Sequence, residues 1–190
     1  PLLILIIVAS LKQKKIFAVV GVLWAVSYLL LGVYQKNEAV KIGKEIAKKR
    51  GHDVIRIDVK PSIGNLLLWK LIYETEDEFY IDAIRLGWNP KVFKGESIDK
   101  INTQTAFPWL VLKSQQAIDI ERFRWFSNGY IAINPKNKNQ ILDIRYSAIP
   151  NQIGGLWGIE LSEGKPNNYH VKYITNRTIS SDRLKVIKKM

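Results

Sequence analysis

The sequence predicts an α+β protein: a transmembrane helical hairpin followed by a domain built on an antiparallel β-sheet with helical insertions. Three observations carry this. Residues 16–34 form an uncharged apolar run, bounded by Lys14 and Lys15 on one side and Lys36 on the other. From Asp53 the apolar residues alternate with period two, the signature of a half-buried strand. Clusters of turn-forming residues then separate short apolar segments along the rest of the chain.

The opening segment, LLILIIVASL, is apolar but ends at Leu11, too short to span a bilayer. It lacks the charged leader of a signal peptide. It reads as the tail of a transmembrane helix, so the chain is expected to be the C-terminal part of a longer protein. The connection LKQKK makes this segment and the next an antiparallel hairpin. A helix needs about 20 apolar residues to cross a bilayer core, and it satisfies its own backbone groups in lipid. Residues 16–34 have that length. Trp24 and Tyr28 suit the span, and Tyr34 is placed as an interfacial anchor. A buried core helix is the competing reading, disfavoured because so long an uncharged run is hard to bury in a small domain. Lys12, Lys14 and Lys15 mark the hairpin loop as cytoplasmic by the positive-inside rule. Lys36, Lys41, Lys44, Lys48, Lys49 and Arg50, past the other end, argue the reverse.

Residues 35–50 continue as a helix. Ala39, Ile42, Gly43, Ile46 and Ala47 fall on one face, lysines cover the rest, and Gly51 is the expected stop. That face either docks on the chain's own domain or lets the helix contact lipid headgroups. Residues 54–60 read as a strand, 61–64 as a turn. Residues 66–75 and 78–87 are strong strand candidates joined through Glu76, Asp77 and Glu78. Residues 91–102 read as irregular, and 108–126 as mostly helical or mixed. A hairpin is expected from 130–134 and 140–146 across 135–139, and a last strand pair from 157–161 and 169–174. The basic tail, 180–190, is expected to fray. The domain division is 1–34 transmembrane, 35–51 basic amphipathic linker helix, and 52–190 soluble α+β domain.

Composition narrows the chemistry. The 190 residues carry a net charge of +12 and no cysteine, which excludes disulfides and thiolate metal sites. In a membrane-linked chain the charge points first to anionic headgroups. Nucleic acid would rest on charge alone and is not expected as a partner. His52 and His170 are the only histidines, and neither sits in an HExxH or comparable ligand spacing. No GxSxG, P-loop or GxGxxG occurs. Two aromatic and polar clusters remain, 65–70 and 122–129. Arginine beside tryptophan and phenylalanine suits phosphate, a stacked base or a membrane interface. Arg122, Arg124 and Arg145 are the candidate anion or headgroup contacts. The plainer reading puts Trp69 and Trp125 in the core and pairs the arginines with Asp143 or Glu121.

Three stretches also carry a family resemblance. Residues 61–70 (PSIGNLLLWK), 122–130 (RFRWFSNGY) and 143–146 (DIRY) occur in the order and spacing of the bacterial membrane-bound metal-dependent hydrolases of the YdjM-like family, which they resemble. The matched positions are Asn65, Trp69, Trp125, Ser127 and Asp143. The resemblance covers essentially the whole chain. It implies a multi-pass inner-membrane hydrolase acting on a phospholipid or phosphodiester. Its divalent metal, expected to be zinc, would be held by His and Asp motifs that this sequence does not contain. No metal ligand therefore carries over onto these residues. The domain following the span is expected on the periplasmic side, capping the metal site. The alternative is a non-enzymatic, membrane-anchored envelope module binding anionic lipid or a protein partner.

Overall fold

The computed structural model describes Ile7 and residues 15–62 and 66–176. The upstream half of the expected hairpin, the basic tail and Asn65 lie outside the described residues. The chain divides into two compact units, Pro1–Glu38 and Ala39–Met190.

Helix α1, Lys15–Lys49, begins in the first unit and is long and apolar enough to cross a membrane. Its apolar side chains between Ile16 and Tyr34, Leu23, Trp24 and Leu30 among them, are largely exposed. A soluble fold would bury such a surface, whereas lipid accepts it. The helix ends on Lys48 and Lys49, whose charges suit the negative end of its dipole. Gly51 then turns the chain at φ 72°, in the left-handed region that glycine enters freely.

The second unit is layered. Its first sheet contains β1 (Arg56–Pro61), β2 (Leu68–Glu74), β3 (Glu78–Arg85) and β4 (Lys91–Phe93) in that order, with β5 (Ser97–Asp99) also on β3. Its second sheet runs β6 (Ile131–Asn134), β7 (Asn137–Asp143), β8 (Trp157–Glu160), β9 (Lys172–Thr175). Every pairing is antiparallel. The single expected sheet is thus two sheets, and the strand alternation explains their stacking. Trp69, Leu71 and Tyr73 of β2 pack with Ala39 and Ala47 of α1. Ile72 points the other way, into a cluster with Phe79, Ile81, Tyr130, Leu142 and Ile144 between the sheets. Ile131 and Ile141 leave the second sheet's far face and meet Ile120 and Phe123 of a helix. The layers are therefore helix, sheet, sheet, helix.

Small residues allow the first contact. A Cβ on Gly43 would stand 2.6 Å from a Leu71 methyl and 2.7 Å from one of Ile57. The outer helix, α3 (Gln115–Phe126), follows the short α2 (Thr103–Ala106) and is capped by Ser114, whose hydroxyl accepts from the Ala117 amide. Asn128 (φ 51°) and Gly129 (φ 75°) turn the chain into β6.

Two further expectations change. Residues 91–102 are not wholly irregular: they contain β4 and β5, separate short strands that both pair with β3. Both are mostly exposed, so no buried face imposes an apolar period. The expected five-residue hairpin loop is tight. β7 already begins at Asn137, its polar first residues largely exposed at the sheet's end, while Asn134 Oδ1 accepts the Lys136 amide at 3.0 Å.

Candidate functional site

A lysine lies inside β2, where all seven residues are buried. Alternation puts Lys70 on the side of Ile72, facing the second sheet. It is 3 % exposed. Its Nζ donates to Ser147 Oγ at 2.7 Å and to the Gln152 carbonyl at 3.0 Å. The Ser147 hydroxyl in turn donates to the Ile149 carbonyl at 2.7 Å. Burial pushes the Lys70 amine down from 10.5 to about 7, against the opposing charges of Glu96 and Asp143. Ser147 separates this amine from a cleft of about 440 Å³, also lined by Gln152, Gly154, Gly155, Trp157 and Lys172.

Beside it lies a second buried charge. Asp143, fully buried at the end of β7, takes Arg145 Nε at 3.0 Å on one oxygen and Nη2 at 2.6 Å on the other. Trp157 Nε1 donates to the same carboxylate at 3.0 Å, and Arg145 also reaches the Phe126 carbonyl at 3.0 Å. A bidentate guanidinium with further donors is what a buried carboxylate requires. The polar group thus joins β2, the end of α3, β7, β8 and the 147–152 loop.

The three arginines fare differently. Arg145 is held by Asp143, and Arg124 by Glu121 and the Thr103 hydroxyl. Arg122 is 74 % exposed, with Asp119 at 3.9 Å. Trp69 is core, its Nε1 donating to the Leu66 carbonyl. Trp125 is not core: it is 85 % exposed, because α3 turns Ile120 and Phe123 inward and position 125 falls on the opposite face. It lines a surface hollow with Leu112, Ile118 and Arg122. Ser127 is fully buried, and its hydroxyl has no hydrogen-bond partner among the described residues.

The described residues do not offer a donor set for a metal ion: no three His, Asp or Glu side chains converge among them. His52 Nδ1 is hydrogen-bonded to the Tyr73 hydroxyl, which also accepts from Arg50, itself clamped on buried Asp82. His170 lies against Asp119.

Sequence reasoning passes over Ser147, which belongs to no motif. A usable signal is Lys70, a charge inside the run LLLWKLIY. A strand apolar on both faces leaves its lysine no route to water, so a partner must be built for it. No family model matches the chain, and no curated protein or solved structure matches it significantly.

Proposed function

We propose that this chain is the C-terminal part of an integral membrane metal-dependent hydrolase acting on a phospholipid or another phosphodiester. In this reading α1 is one span of a multi-pass protein of the bacterial inner membrane. The α+β unit lies on the periplasmic side and caps a site whose zinc or other divalent ion is held by residues outside this sequence. What supports the reading is that residues from the three resembling stretches meet in one polar group: Lys70 bonds the loop that follows Asp143, and Arg145 ties Asp143 to Phe126. Stretches that recur together are expected to form one working surface. Of the three candidate arginines Arg122, exposed and outside this group, is the one left for an anionic headgroup. The test is hydrolysis of phospholipids and simple phosphodiesters by the complete protein, with chelator and with zinc, manganese or magnesium restored. Chelator-sensitive turnover is expected; no turnover with any of these ions refutes the reading.

A second reading, the non-enzymatic membrane-anchored module, draws on the exposed hollow of Leu112, Ile118, Arg122 and Trp125. Apolar and aromatic residues rimmed by arginine suit a lipid interface. It predicts binding of anionic vesicles or a protein partner that chelator does not affect.

A further inference from the structure

We propose that Ser147 and Lys70 form a nucleophile–base pair that cleaves a carboxylic ester or peptide carbonyl bound in the cleft beside Ser147. The inference is independent of the metal-dependent reading. It stands on the arrangement that serine catalysis with an amine base requires: nucleophile and base in hydrogen-bond contact, the base fixed by a third group, and space for a carbonyl on the nucleophile's open side. Ser147 Oγ and Lys70 Nζ are 2.7 Å apart, and the Gln152 carbonyl holds Nζ from behind at 3.0 Å. Gly154 lies beside Ser147. A Cβ placed on this glycine would first meet the Ser147 Cβ, at 3.8 Å, and with hydrogen alone at that position no side chain there obstructs approach. The cleft is also lined by Lys172 and Ile174 of β9, the outermost strand of the second sheet among the described residues. An extended substrate chain can add to such an edge through backbone hydrogen bonds.

A lysine serves as base only when neutral, and burial supplies that condition near pH 7. The charged groups acting on it are Glu96 and Asp143, the latter already neutralised by Arg145. In the resting arrangement the serine hydroxyl points to the Ile149 carbonyl. It must rotate toward Nζ to react. Ser147 Oγ then bonds to the carbonyl carbon as its proton passes to Nζ. The tetrahedral intermediate collapses, the bond to the leaving group breaks, and the alcohol or amine takes that proton from the Lys70 ammonium. Water attacks the acyl-serine ester, giving a proton to Lys70. Ser147 departs with that proton, and a carboxylic acid is released.

The plainer role for Lys70 is to pin the 147–152 loop, and Lys70→Arg separates the two: arginine keeps the donors but stays protonated and cannot act as a base. The full chain in lipid nanodiscs is treated with a fluorophosphonate and, separately, with p-nitrophenyl butyrate, both in chelator. Peptide mapping is expected to find the phosphonyl group on Ser147, at a rate rising through pH 7. Ser147→Ala and Lys70→Arg, each assayed below its own melting temperature, are expected to lose at least 100-fold in ester turnover. An unlabelled Ser147, or labelling undiminished in Lys70→Arg, overturns the proposal. Ser147→Cys provides a second measurement, because the chain has no cysteine and iodoacetamide then reports one thiol. Alkylation at pH 7 is expected to be at least tenfold faster with Lys70 present than in the Lys70→Met background; equal rates overturn the pairing.

Discussion

Replacing Lys70 with methionine removes a titration and little volume, which makes it a direct probe of the buried amine. Unfolded, Lys70 titrates near its ordinary 10.5; folded, burial holds it near 7. Between those values the unfolded chain binds the proton and the folded chain does not, so stability rises with pH across that window. Below pH 7 both states hold the proton and the contribution is flat, at its least favourable. The slope inside the window approaches about 1.4 kcal/mol per pH unit. From pH 7.5 to 9.5 the parent should therefore gain about 2–3 kcal/mol relative to Lys70→Met. The lost bonds to Ser147 Oγ and the Gln152 carbonyl cost about 1 kcal/mol each at every pH and drop out of the comparison. The assay is denaturant unfolding of the full chain in detergent, followed by tryptophan fluorescence at both pH values. Parallel stability curves for parent and variant would refute the buried neutral amine.

Other perturbations test the frame around it. Arg145→Met leaves the Asp143 carboxylate buried without its cation and should cost about 3–5 kcal/mol in the same unfolding assay. Gly95→Ala would bring a Cβ within 2.2 Å of the Ile81 and Asn151 carbonyl oxygens, and overpacking against backbone should cost about 3 kcal/mol or more, read as a lowered melting temperature. Burial raises the Glu74 carboxyl, but bonds from Lys100 and Arg56 outweigh it and hold it below its ordinary range. That stabilisation is present above the unfolded pKa and lost as pH falls, so Glu74→Gln should be less stable than the parent at pH 7, with the gap closing toward pH 3. Trp125→Ser, at an exposed position, should change stability by less than about 0.5 kcal/mol. If the hollow binds lipid, the same change weakens vesicle association measured by flotation.

The order of elements is readable because burial is written into the chain. Residues 16–34 have no charge, the Ala39–Gly43–Ala47 face repeats at helical spacing, and residues 66–75 are apolar on both sides as a central strand must be. β4 and β5 escape because each is three residues long and turns only one half-buried apolar side chain, Phe93 or Ile98, to the core, too few to show a period. Trp125 is misplaced when residue type is weighed above phase: Ile120 and Phe123 of α3 point inward, and their spacing puts 125 outside. The pair at Lys70 and Ser147 is half legible. A lysine in a doubly buried strand announces that something must satisfy it, but its partner is 77 residues away. No local pattern reports a contact made by stacking two sheets.

The complete burial of β2 has a kinetic side. A strand flanked by β1 and β3, with a helix on one face and a sheet on the other, exposes its amides only when the whole unit opens. Its amide hydrogens should be among the slowest to exchange with deuterium, while those of β9 and β4, outermost among the described strands, are expected to exchange through small local openings. Lys70 shares that protection from behind. Ser147, which bonds the amine, also lines the cleft, so a ligand filling the cleft is expected to slow the amine's proton exchange without touching it.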